Sequence, residues 1–163
     1  MGSELTRRAL LRAGLVVGVV ASGGLMLWGE APAPGLAVLS AAEVRIVEAL
    51  AAALFPAGYF PLAGGDGGTA PVVDTMLDGA MDPTTGDGFR ALLRTLELGT
   101  LVSRGQLFSS LPRETAHDVL QVWAREDPLP RRLANDTLRL VISMAFLRRP
   151  EVLRAVGWRQ GCA

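Results

Sequence analysis

Apolar residues recur at helical spacing along this chain, and turn-forming residues separate one stretch from the next. Ser40 and Glu43 form an S-x-x-E pair ahead of Ile46, Val47, Leu50 and Leu54. That pattern predicts a helix opened by a capping box, in which each side chain satisfies the other residue's free backbone N–H. Arg45 and Glu48 fall on its outward face, and Pro56 stops it. A short second helix is predicted from Pro71 to about Ala80. After a turn-rich break at Asp82–Gly88, a third carries Phe89, Leu92, Leu93 and Leu96 inward. Ser110 is placed to cap a fourth helix, whose buried stripe is Ala116, Val119, Leu120 and Trp123. Asp127-Pro128-Leu129-Pro130 is a stiff turn before a fifth helix over 131–147, and Pro150 opens a last short one that Gly157 would cap. No stretch shows the period-two alternation of a strand. The predicted fold is all-α, a small irregular bundle of five to six helices behind an N-terminal export or anchor segment.

The polar stripes read as solvated faces. Arg90, Arg94, Glu97 and Arg104 lie opposite the apolar stripe of the third helix; Glu114, His117, Gln121 and Arg125 line the fourth. On the fifth, spacing allows Arg132–Asp136 and Asp136–Arg139 pairs worth a few tenths of a kcal/mol each. The loop over 57–70 holds Gly58, Gly64, Gly65, Gly67 and Gly68. A phosphate-cradling loop needs a preceding strand or a P-loop lysine, and this chain has neither. The loop reads as a flexible surface segment, one that could order against a partner.

Composition narrows the chemistry. Sixteen basic and sixteen acidic residues balance, so overall charge implies neither nucleic acid nor an anionic membrane surface as partner. Every basic residue is arginine, as GC-rich codon usage gives. One histidine and one cysteine, His117 and Cys162, cannot build a common zinc site, an iron–sulfur cluster or a covalent haem attachment. His117 reads as a surface histidine. Asp74, Asp78, Asp82 and Asp87 cluster but lack the ligand alternation of a calcium loop, and no G-x-S-x-G elbow is present. No catalytic, cofactor-binding or metal-ligating residue is expected in this chain.

The N-terminus is the more specific signal. Arg7-Arg8 is followed by Leu10 and Leu11, then by an uncharged, glycine-punctuated run from Ala13 to Gly29. This is the pattern of a twin-arginine export signal, which carries proteins already folded. The run is also at the lower edge of the length needed to span a bilayer, so it reads as a cleaved signal or as a retained anchor. Ala31-Pro32-Ala33 and Gly35-Leu36-Ala37 are the candidate cleavage triplets, and residues 30–39 read as a Pro/Ala/Gly linker. The expected division is signal and linker over 1–37 and a helical domain over 38–163.

Three segments carry a resemblance. They are Leu39-Ser40-Ala41-Ala42-Glu43 running through a helix to Leu54-Phe55-Pro56-Ala57, then Leu111-Pro112-Arg113-Glu114, then Pro150-Glu151-Val152 through Gly157-Trp158. In this order the chain resembles the gluconate 2-dehydrogenase subunit 3 family over about 39–159. It departs from the family at Gly58-Tyr59-Phe60, where an acidic residue is usual, and in the length of its glycine-rich segment. The resemblance implies a non-catalytic accessory subunit of a periplasmic complex. Its large partner would be an FAD-dependent dehydrogenase of the glucose–methanol–choline class acting on a sugar or other alcohol. A cytochrome c subunit would be a further partner, and the twin-arginine translocase would handle export. Phe55, Tyr59, Phe60, Leu138, Val141, Ile142, Phe146 and Trp158 are the candidate partner-contact residues. The competing reading is a stand-alone helical scaffold or chaperone tethered by an uncleaved N-terminus.

Overall fold

The computed structural model describes residues 30–60, 62–125 and 129–158. Within them the chain is all-α. The helices are α1 (Ala41–Leu54), α2 (Thr69–Gly79), α3 (Pro83–Arg104), α4 (Arg113–Arg125), α5 (Leu129–Leu147) and α6 (Pro150–Ala155), with a 3₁₀ turn at Phe108–Ser110. The export residues Arg7, Arg8, Leu10 and Leu11 lie outside the described residues, as does Cys162.

The capping box forms as its spacing predicts. Ser40 Oγ accepts from Glu43 N at 3.3 Å, and Ser40 N donates to Glu43 Oε2 at 2.9 Å. α3 begins six residues before Phe89, so Asp82–Gly88 is the helix's first turns rather than a break. Asp82 supplies the N-cap by accepting from Thr85 N, Pro83 occupies the first turn where its missing N–H costs nothing, and Gly86 is buried. Ser110 closes the 3₁₀ turn instead of capping α4, which starts at Arg113. α6 ends in a Schellman motif, with Gly157 N on Arg154 O and Trp158 N on Leu153 O.

α5 is the central helix, packed against α1, α2, α3, α4 and α6. Leu138, Ile142, Ala145 and Phe146 on its inner face are fully buried, beside Leu50, Leu93, Phe108 and Leu120 from other elements.

The polar stripe of α3 turns inward. Glu43, only 1% exposed, accepts from Arg90 Nε at 3.0 Å and from Arg94 Nη2 at 2.7 Å. One turn on, the buried Glu97 accepts from Ser109 N at 2.8 Å and holds the 3₁₀ turn to α3. These side chains could not be left unpaired in the interior, where a lone charge is heavily penalised. Arg104 stays exposed, as expected.

The segment before α1 is folded. Asp74 on α2, buried, accepts from three successive backbone amides: Ala37 N at 2.8 Å, Val38 N at 2.9 Å and Leu39 N at 2.8 Å. Ala33 N donates to Leu39 O, and Pro32 bridges Ser40. The compact unit therefore starts at Ala31, and 31–37 is part of it rather than a linker.

The glycine-rich loop is likewise ordered against its own chain. Glu48 accepts from Gly67 N at 3.0 Å and Ala70 N at 2.7 Å. Asp66 receives a two-pronged pair from the buried Arg149, at 2.6 and 2.8 Å. Glycine is required at Gly64, where the loop meets the α1 backbone, and Gly68 lies against the Arg149 head group. A Cβ on Gly64 would fall 2.2 Å from Ala51 O, and one on Gly68 would fall 2.4 Å from Arg149 Nη2. The amides of Gly67, Gly68 and Ala70 are occupied by carboxylates and that of Gly64 by the Phe55 carbonyl.

Two outcomes follow. Replacing Glu43 with alanine strands two arginine head groups and should cost about 3–5 kcal/mol in a denaturant titration. The Arg149 guanidinium, through its hydrogen bonds, holds the Asp66 carboxyl below its ordinary value of 3.8, against the opposing push of burial. Between the folded and unfolded values the unfolded chain binds more protons, so this stabilisation is complete above the unfolded value and lost as pH falls through the folded one. Asp66→Asn should flatten the loss of thermal stability over that acid window.

Candidate functional site

A groove of about 680 Å³ opens between the end of α1, the turn after it and the first half of α4. Its apolar wall is Leu54, Pro56, Ala57, Tyr59 and Phe60; its polar wall is Arg113, Glu114, His117 and Asp118. Both walls follow from local sequence. Pro56 cannot continue α1, so the chain leaves the helix at Phe55 and must double back before α2.

Three aromatic rings pin that return. Phe55 stacks on Phe146 of α5 with centroids 4.1 Å apart and planes at 12°. Phe60 meets Phe146 edge-on at 5.4 Å and Phe55 at 5.6 Å. Edge-to-face and offset contacts of this kind add to the burial of the rings. With Phe55 and Phe60 held inward, Tyr59 is carried outward and is 86% exposed. A large side chain braced from below and bare above has the form of an anchor.

His117 secures the groove's other side. Its Nδ1 lies 3.1 Å from the carbonyl oxygen of Ala53, in the last turn of α1. A carbonyl only accepts, so Nδ1 carries the proton, and Nε2 receives the Gln121 amide at 3.2 Å. Both ring nitrogens are engaged, and the residue's task is to hold α4 against the open end of α1. The neighbouring Arg113–Glu114 pair, at 2.7 Å, is solvent-exposed and holds the Glu114 carboxyl below its ordinary value. The groove offers an apolar floor and a mixed-charge rim, and its one imidazole is occupied in packing.

The acidic cluster disperses. Asp74 binds the pre-helical amides, Asp82 caps α3 and Asp87 lies 3.7 Å from Arg90. Among the described residues no group of three His, Cys, Asp or Glu side chains is arranged to hold a metal ion, and no helix is long and apolar enough to cross a membrane.

The predicted contact residues separate into three sets. Tyr59 and Trp158 are exposed, at 86% and 64%, and Phe55 and Phe60 are half-buried braces. Leu138, Val141, Ile142 and Phe146 are core residues with no surface to offer, because α5 is packed on that face against the neighbouring helices. The exposed apolar positions of α5 are instead Leu133, Leu140, Met144 and Leu147, at heptad spacing. The chain matches no family profile, no curated protein and no solved structure.

The brace and the anchor should separate on mutation. Phe60→Ala, which breaks two ring contacts, should cost about 1–3 kcal/mol in chemical unfolding. Tyr59→Ala should stay within about 0.5 kcal/mol of the parent protein.

Proposed function

We propose that this chain is a non-catalytic accessory subunit that binds, stabilises and co-exports the FAD-containing large subunit of a periplasmic sugar or alcohol dehydrogenase. The reading rests on the resemblance of its helical segments to gluconate 2-dehydrogenase subunit 3 and on the twin-arginine pattern at Arg7-Arg8. The observation that carries it to a surface is Tyr59, held outward over an apolar groove by an aromatic brace that no part of this chain covers among the described residues. Exposed tyrosines in rigid settings are frequent anchors of protein–protein contacts, since they bring area at small entropic cost. In this reading the flavoprotein supplies the redox chemistry and this chain supplies a fold for it to close on. A folded-protein export signal on a domain without a reaction of its own then serves the partner's cofactor.

Native purification should bring down a larger protein with a flavin absorption spectrum. Replacing Arg7-Arg8 by Lys-Lys should leave both proteins in the cytoplasm, and normal export of the flavoprotein in that strain would sink the escort role. Tyr59→Ala should weaken the complex about tenfold or more, with the isolated chain's unfolding unchanged. An intact N-terminus in membrane fractions with no flavoprotein bound would favour the stand-alone scaffold instead.

A further inference from the structure

Helix α5 is apolar on two opposite faces. The inner one is core. The outer one is a ridge of Leu133, Leu140, Met144 and Leu147, exposed by 55, 61, 45 and 44%. These positions, with Thr137, fall on successive a and d sites of a heptad, so they form a single line about 20 Å long. A helix facing solvent on one side normally carries polar residues there. Four large apolar side chains in a row, on the most centrally packed helix of the fold, call for something to cover them.

Charge says what. Zero net charge hides a separation along the chain. Residues 30–125 carry six arginines against eleven acidic residues, whereas 126–163 carry seven arginines against Glu126, Asp127, Asp136 and Glu151. Arg132 and Arg139 sit one residue before Leu133 and Leu140, on one edge of the ridge; Arg148 follows Leu147 on the other. Asp136 lies on the same edge, one turn from each, and among the described residues no ion pair joins it to either. Three guanidinium groups and one carboxylate thus border the ridge, a net positive rim.

We propose that this ridge seats the domain on an anionic lipid surface, with the leucines and Met144 in the headgroup–acyl boundary and the flanking arginines on lipid phosphates. An amphipathic helix with arginine-edged apolar side chains is the form that lies in a membrane interface. A second copy of the chain is the weaker occupant, because a symmetric pairing along the ridge would set arginines against arginines. A protein groove would need walls complementary to a convex ridge, whereas lipid deforms around one. The mode is peripheral and uses none of the groove residues around Tyr59. It holds whether or not a flavoprotein binds there.

The test uses residues 31–163, the compact unit, so that the apolar run at 13–29 contributes no binding of its own. The probes are vesicles of phosphatidylcholine with one quarter phosphatidylglycerol, and vesicles of phosphatidylcholine alone, in a co-sedimentation assay. Binding should favour the anionic vesicles and weaken with salt. Replacing Arg132, Arg139 and Arg148 by glutamine should lower it by about fivefold per arginine. Leu140→Glu with Met144→Glu should reduce it by at least about tenfold, with Tyr59→Ala as an unaffected control. Circular dichroism checks that each variant is folded; if the glutamate pair is not, the arginine triple carries the test alone. Equal binding to both vesicles, no binding to either, or unchanged binding of the arginine variant would overturn the proposal. So would a dimer in sedimentation equilibrium that the ridge variants dissolve, which would assign the ridge to a second copy. Loss of a co-purified flavoprotein on ridge mutation with vesicle binding intact would assign it to a protein partner.

Discussion

A buried carboxylate with two arginines is the joint on which this bundle turns. Glu43 closes the capping box of α1 and in the same place receives Arg90 and Arg94 from α3. The start of the first helix and the flank of the longest one are therefore fixed by one side chain. Its desolvation is tolerable only because both carboxylate oxygens are fully engaged, and that requirement sets the position of the two helices more sharply than apolar contact would.

The same device recurs. Asp74 gathers the amides of 37–39, Glu48 those of Gly67 and Ala70, and Glu97 that of Ser109 in the 3₁₀ turn. Each acid sits on a helix and binds backbone in an irregular segment, which gives non-helical amides partners they would otherwise lack. Arg149 completes the pattern by closing on Asp66, with its guanidinium near the Phe146 ring. Loops that look unconstrained in composition are held by charge, and the aromatic brace of Phe55, Phe60 and Phe146 holds the one that carries Tyr59. The surface that results is divided into a groove with a mixed-charge rim at the end of α1 and a cationic apolar ridge along α5. A small domain can in this way present two chemically different faces.

The apolar stripes were legible from spacing alone. Ile46, Val47 and Leu50, and Ala116, Val119, Leu120 and Trp123, are buried as their periodicity requires. Element starts were readable where the signal is local, as at Ser40–Glu43 and Gly157, and misread at Asp82–Gly88, where glycines suggested a break that an N-cap and a first-turn proline overrode. The site was less legible. Tyr59 and its neighbours were noticed for their hydrophobicity, but which ring would be outside depended on Phe146, far away in sequence. For α5, mean apolarity could not distinguish the core face from the ridge.

The sequence by itself determined that this is a helical chain, where α1 begins and α6 ends, and which apolar stripe of α1 and α4 is buried, because capping, proline geometry and amphipathic period act over a few residues. Only the tertiary structure decided that Arg90, Arg94 and Glu97 point inward, that 31–39 and the glycine-rich loop are pinned, and which side of α5 remains bare. Those outcomes depend on partners 12 to 83 residues distant, such as Glu97 with Ser109 and Asp66 with Arg149. A charged side chain is stable inside only where such a partner meets it, and no local pattern records that meeting.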